Sequence, residues 1–176
     1  VVVGNNAKTF DDVSGDAWYA DSVSFAASHE MFDGVGGGRF DPQGTMTRAM
    51  ILQVLMNIEG GEASAASSFS DVPAGAWYAE AVSWGSGLGL VNGYGNGAFG
   101  PTDSITREQL AMIMYNYVQK MGYPVSTEIS GDLTRFSDSD QVSSWASEAL
   151  GWAAGVGLVN GNADGTLNPK GTATRA

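Results

Sequence analysis

The sequence predicts an all-α fold made of three helix–loop–helix repeats packed into one domain. Two observations predict it. A string of anchor residues recurs three times at nearly constant spacing, as in repeat architectures. Within the copies, apolar residues fall at helical spacing.

The first anchor, Phe10-Asp11-Asp12-Val13, recurs as Phe69-Ser70-Asp71-Val72 and as Phe136-Ser137-Asp138-Ser139. Trp18, Trp77 and Trp145 follow, then Phe25, Trp84 and Trp152, then a glycine turn at Gly34, Gly93 and Gly161. Next come Phe40/Pro42, Phe99/Pro101 and Leu167/Pro169, and each copy reaches Thr-Arg at Thr47-Arg48, Thr106-Arg107 and Thr174-Arg175. From Trp18 to Arg48 every anchor maps onto the second copy by adding 59 residues, and from there onto the third by adding 68, without a gap. The repeats are therefore 1–61, 62–124 and 125–176. A two-helix unit of this size cannot bury its own apolar face, so neighbouring units must pack together, here as a pseudo-threefold domain.

Each element follows from local chemistry. An acidic turn leads into a first helix starting near the tryptophan. In repeat two, Trp77, Ala81, Trp84 and Leu88 would share one helical face. This register favours the core over an exposed stacking role for the tryptophans, with Trp18, Trp77 and Trp145 in equivalent environments. Gly89 and Gly157 read as left-handed residues that end the helix, where repeat one carries Glu30. After a Gly-rich loop, Thr47 and Thr106 cap a second helix. Its buried stripe is Ile51, Leu52, Leu55 and Met56, or Leu110, Ile113, Met114 and Tyr117, and Gly60 and Gly122 close it. Thr106 with Gln109 fits a capping box, whereas Thr47 is expected to keep only its own cap because Met50 would not reach back. Asp12, Asp71 and Asp138 read as caps of a turn or of the first helix.

Composition narrows the function. Acids outnumber bases 19 to 8 in 176 residues, a formal charge of −11. That argues against nucleic acid and anionic membranes, which need many Lys and Arg. No apolar run approaches the roughly 20 residues of a membrane span, and any secretion signal is expected to have been removed. Cysteine is absent and His29 is the only histidine, aligned with Leu88 and Val156 on a helix face. No acid–base or metal-ligand constellation emerges, so neither catalysis nor a cofactor is expected. Asn162-Ala163-Asp164-Gly165 lacks the ligand string of a calcium loop and reads as a turn.

The chain has five arginines, and three occupy one repeat position: Arg48, Arg107 and Arg175. A cation in the first turn of a helix opposes the macrodipole, so capping does not explain it. Two readings remain open. The arginine with free helix N–H groups receives an anion, or it forms an internal salt bridge.

These residues resemble the S-layer homology family, whose repeat runs F-x-D-V, W, G-Y-x-D-G-x-F-x-P and T-R-A-E. Repeat two matches best, through Phe69-Ser70-Asp71-Val72, Gly93-Tyr94-Gly95-Asn96-Gly97-Ala98-Phe99-Gly100-Pro101 and Thr106-Arg107-Glu108-Gln109. The resemblance implies a three-pronged spindle around a central helical bundle. It also implies grooves that bind secondary cell-wall polysaccharide, often pyruvylated, and a secreted location at the cell wall or S-layer. The binding residues would be Arg48, Arg107, Arg175, Gly34, Gly93, Gly161, Tyr94 and Asn162, with Tyr94 the best sugar contact. The alternative is a surface self-assembly or protein-interaction module without glycan binding. Repeat one should hold the weakest site, because its loop Gly34-Val35-Gly36-Gly37-Gly38-Arg39 lacks the aromatic. Repeat three reaches Ala176 inside its own motif, which leaves an apolar face to be covered, in part by Val1-Val2-Val3 or by self-association with a second copy.

Overall fold

The computed structural model describes residues 8–63, 65–126 and 129–176; Val1-Val2-Val3 lies outside them. Five α-helices occur among these residues: α1 Ala20–Ser28, α2 Arg48–Glu59, α3 Ala79–Gly87, α4 Arg107–Met121 and α5 Ser147–Gly155. Three single 3₁₀ turns, Leu133–Arg135, Ser139–Gln141 and Ser144–Ala146, precede α5. The described residues contain isolated β-bridges but no strand, so the fold is all-α.

The longer helices α2 and α4 start as expected. Thr47 and Thr106 are extended, and their hydroxyls accept from the N–H of Met50 and Gln109. Gln109 reaches back to the Thr106 N–H at 3.1 Å. Met50 also reaches back, correcting the expectation for repeat one: its sulfur lies 3.5 Å from the Thr47 nitrogen. An unbranched thioether has the reach, and its sulfur is a weak acceptor. Gly60 and Gly122 end these helices in the left-handed region. All four predicted stripe residues of α2 are buried; in α4 Ile113 and Tyr117 are, while Leu110 and Met114 pack only partly against the core.

The shorter helices start later than the sequence suggests. Each begins two residues after its tryptophan, at Ala20, Ala79 and Ser147. Trp18, Trp77 and Trp145 therefore fall outside the helical register. They are 83%, 61% and 51% exposed, so the expectation that they belong to the core is wrong. The second aromatic carries the core instead: Trp84 and Trp152 are 7% and 2% exposed. Each indole of this kind contributes roughly 1.5–3 kcal/mol or more on burial. α3 packs on α2 and α5 on α4. Gly85 permits the close approach of α3, since a Cβ there would stand 2.7 Å from a Leu52 methyl. α1 has no such partner among the described residues, and Phe25, the counterpart of Trp84 and Trp152, is 56% exposed.

The repeats are joined by a closed set of backbone hydrogen bonds. The N–H of Met46 donates to Ala173 C=O, that of Ala173 to Ile105 C=O, and that of Ile105 to Met46 C=O, all at 2.9 Å. Beside this ring, the first free N–H groups of α2 and α4 are satisfied by another repeat. Arg48 N–H donates to Asp103 C=O and Ala49 N–H to Pro101 C=O; Arg107 N–H donates to Gly171 C=O and Glu108 N–H to Pro169 C=O. Arg175 and Ala176 make the same bonds to Gly44 and Pro42. Helix-start donors, costly to bury unpaired, thus act as inter-repeat ties.

Gly89 and Gly157 lie at φ +73° and +76°, as predicted, and Glu30 takes the same conformation at φ +57°. A side chain there is strained where glycine is not. Glu30→Gly is expected to raise stability by roughly 1 kcal/mol. Chemical denaturation measures this; an unchanged or lower midpoint contradicts it.

Candidate functional site

The loop of each repeat is built around its aspartate. The carboxylate of Asp71 accepts from Phe99 N–H and Gly100 N–H at 2.8 and 2.7 Å. Asp12 does the same with Phe40 and Asp41, and Asp138 with Leu167 and Asn168. These are turn caps, one of the two roles expected for them. The second residue of each pair, Asp41, Gly100 or Asn168, is left-handed. The N–H groups of Phe40, Phe99 and Leu167 are the main cause that holds the three carboxyls below the ordinary carboxylate range. A depressed folded-state pKa contributes stability that is present above the unfolded value, about 3.9 for Asp. It is lost as pH falls through the folded values. Stability should therefore drop below about pH 4. An acid titration of the Asp12→Asn/Asp71→Asn/Asp138→Asn variant should be flatter in that window than wild type; an identical profile contradicts the assignment.

The loop glycines have a packing reason. A Cβ at Gly93 would stand 2.5 Å from a ring carbon of Phe69 and 2.6 Å from Ala98 C=O. Gly34 lies against Phe10 and Arg39 C=O, and Gly161 against Phe136, in the same way. The repeated phenylalanine and the turn glycine are two halves of one contact.

The repeated arginines each reach into another repeat. Arg48 donates from Nε to Phe99 C=O and from Nη2 to Asn92 C=O, both at 3.0 Å. Arg107 donates to Leu167 C=O and Asn160 C=O at 3.0 and 2.7 Å. Arg175 donates to Phe40 C=O and Asp33 C=O at 2.9 and 2.8 Å. The guanidiniums also lie over rings: Arg48 over Tyr94 and Phe99, Arg175 over Phe32 and Phe40. The ion pairs among the described residues join Lys8 to Asp33, Arg39 to Asp12 and Lys170 to Glu108, and involve none of the three. Among the described residues, carbonyl contacts thus stand where the alternative reading had an internal salt bridge. The helix N–H groups beside the guanidinium, expected to be free for an anion, are tied to the neighbouring repeat. Burial lowers the pKa of all three guanidiniums, opposed at Arg48 by Tyr94, Asp103 and Asp71. Arginine titrates so far above neutrality that each remains a cation.

Two open grooves form at these arginines. One, of about 340 Å³, is lined by Arg48, Asn92, Gly93, Tyr94, Gln109, Met112, Asn116 and Trp145, with Leu90, Val91 and Ile113. The other, of about 380 Å³, is lined by Arg175, Asp33, Gly34, Val35, Met50, Gln53, Asn57 and Trp77, with Met31, Phe32 and Val54. Position by position these are the same groove. Its loop and second helix come from one repeat, its tryptophan from the next and its arginine from the remaining one. Asn57 and Asn116 close the floor by donating to Met31 C=O and Leu90 C=O. Both grooves are mostly apolar, with a few polar groups and one cation, the usual composition of a small-ligand site.

The structure brings Arg48, Gly93 and Tyr94 together in one groove and Arg175 with Gly34 in the other. The Tyr94 hydroxyl donates to Asp103 at 2.8 Å, and its ring is half exposed. Arg107 meets Asn160, next to Gly161, but no helix matching α2 or α4 stands beside it among the described residues. Asn162 turns back on its own loop, donating to Thr166 Oγ1 at 2.9 Å. Trp77 and Trp145 line the grooves, where helical spacing favours the core over a stacking role, and Phe32, which the sequence reading does not single out, supplies repeat one with the aromatic its loop lacks. The Trp-Tyr pairs Trp18-Tyr19 and Trp77-Tyr78, which put a second aromatic beside each of these tryptophans, were the available signal. No cluster of three or more His, Asp or Glu suited to a metal occurs among the described residues. His29 is exposed, stacked on Phe25 with Nδ1 2.8 Å from Phe25 C=O. No helix of the described residues is long and apolar enough to cross a membrane.

The fold and its grooves thus define an all-α repeat module with composite, arginine-bearing clefts. The chain belongs to the S-layer homology domain family, whose model matches residues 9–49, 68–111 and 135–176. It is 36% identical over 96% of its length to an amylopullulanase of Thermoanaerobacterium thermosulfurigenes, covering 9% of that protein. It is 30% identical over 94% of its length to the surface-layer 125 kDa protein of Lysinibacillus sphaericus, covering 14% of it. A cellulosome-anchoring protein of Acetivibrio thermocellus is 28% identical over 81% of this chain and matched over 32% of its own length. The chain spans 9%, 15% and 18% of three relatives named as enzymes, so the shared part is the repeat module.

Proposed function

We propose that this module anchors a secreted protein to the bacterial cell wall by holding an anionic, pyruvylated wall polysaccharide in the two grooves. Cell-surface anchoring is the role of its family, and the relatives named as enzymes share only this repeat module with the chain. One observation carries the finer reading: in each groove a half-exposed indole and a guanidinium line the same open cleft. Aromatic faces stack on the apolar faces of sugars, and a guanidinium receives a carboxylate. Nη1 of Arg48 makes no hydrogen bond among the described residues, which leaves donors for a ligand while Nε and Nη2 hold the loop. The three-pronged, pseudo-threefold arrangement belongs to the same reading and is supported by the closed ring through Met46, Ile105 and Ala173. Arg107, Gly161 and Asn162 would belong to the third site.

The second reading is a cell-surface self-assembly or protein-interaction module that binds no glycan. Sedimentation of purified wall sacculi with the chain separates the readings. Retention by intact walls and release from walls stripped of polysaccharide is the expected result. Equal retention by stripped walls would transfer the role to protein or peptidoglycan contacts.

A further inference from the structure

We propose that the asparagine–glycine junctions Asn92-Gly93 and Asn160-Gly161 are self-modifying sites that convert to isoaspartate and thereby clamp the arginine beside them. Three observations meet there. Phe69 and Phe136 admit no side chain at Gly93 and Gly161, so each asparagine is followed by the one residue that leaves its backbone nitrogen unshielded. Neither glycine N–H makes a backbone hydrogen bond among the described residues, and both asparagines are exposed. The main-chain carbonyl of each asparagine accepts from an arginine, Asn92 from Arg48 at 3.0 Å and Asn160 from Arg107 at 2.7 Å.

The chemistry balances with water alone. The deprotonated nitrogen of Gly93 attacks Cγ of Asn92, a nitrogen–carbon bond forms, and the side-chain nitrogen leaves as ammonia. Water then opens the cyclic imide. Attack at the original main-chain carbonyl breaks its bond to the Gly93 nitrogen, which stays attached through Cγ. The product is isoaspartate, and the carbonyl that Arg48 held has become a free carboxylate. A neutral acceptor of Arg48 is thereby replaced by an anion at the same contact, a charge-assisted pair that competes with any anionic ligand. Asn92 reacts ahead of Asn160, because its side chain makes no hydrogen bond among the described residues whereas Asn160 Nδ2 donates to Gly157 C=O at 3.4 Å. Asn96-Gly97 has a similar sequence, but its carbonyl holds no arginine, so it serves as an internal control.

The effect on wall binding rests on the glycan reading above; the conversion and the clamp do not. The folded chain is aged at mildly alkaline pH beside Asn92→Gln/Asn160→Gln, and isoaspartate is mapped by peptide digestion with methyltransferase labelling. The Arg48 guanidinium protons are followed by NMR, and retention on intact sacculi is measured. Isoaspartate should accumulate at 92, then at 160. Exchange of the Arg48 protons with solvent should slow, and retention should weaken roughly tenfold or more. The glutamine variant should form no isoaspartate at 92 or 160, and its Arg48 exchange should stay constant through ageing. Intact Asn92 and Asn160 in the folded chain, when a urea-unfolded sample converts, would overturn the proposal. So would isoaspartate at 92 with unchanged Arg48 exchange. Fresh chain that fails to bind walls would remove the glycan reading only, and mapping with NMR would still decide the clamp.

Discussion

Arg48→Ala is expected to lower the stability of the chain by about 2–3 kcal/mol, far more than a surface arginine would. Arg48 is 6% exposed, and its guanidinium ties repeat one to the Phe99 and Asn92 carbonyls of repeat two. Removal leaves both acceptors without their charged donor and uncovers the Tyr94 and Phe99 rings. Arg48→Lys should recover little of the loss, because a single ammonium cannot serve two carbonyls in the fixed fork that guanidinium presents. Urea denaturation measures the change. A midpoint within error of wild type would show that the inter-repeat bonds contribute nothing net. Wall binding should fall as well, so this variant alone cannot separate folding from recognition.

Trp77→Ala/Trp145→Ala separates them. Both indoles lie largely in solvent, in turns ahead of α3 and α5, so unfolding should shift by no more than about 0.5 kcal/mol. Both line the grooves, and loss of a stacking aromatic at a binding hot spot costs about 2 kcal/mol, roughly thirtyfold in affinity. Binding should therefore collapse in a chain that remains folded. Each groove takes its tryptophan from one repeat and its arginine from another, so either single variant should disable one groove only.

Much of the architecture is legible in the sequence. The three copies, the Thr caps, the left-handed glycines and the stripe of α2 follow from spacing and local backbone chemistry. The aspartates were assigned a capping role, and they cap turns. What escaped the sequence depends on contacts between repeats. The partners of Arg48, Arg107 and Arg175 are main-chain carbonyls, which leave no side-chain signature. The helix N–H groups judged free are taken by residues more than fifty positions away, which no local rule reports. Trp77 fitted a helical face at i, i+4, i+7 and i+11, yet α3 begins at Ala79 and the pattern runs two residues too far. Residue type alone argues against Met50 as a capping partner, yet its sulfur approaches the Thr47 nitrogen. Phe32 went unnoticed because its counterparts Val91 and Val159 are aliphatic.

The most direct test of wall-glycan recognition in these grooves is an equilibrium titration of polysaccharide-bearing sacculi with wild type and with Trp77→Ala/Trp145→Ala, both verified as folded. The account predicts saturable binding for wild type, at least thirtyfold weaker binding for the variant, and loss of the difference on stripped walls. Equal affinity of the two proteins for intact walls would contradict it and move the binding surface away from the grooves.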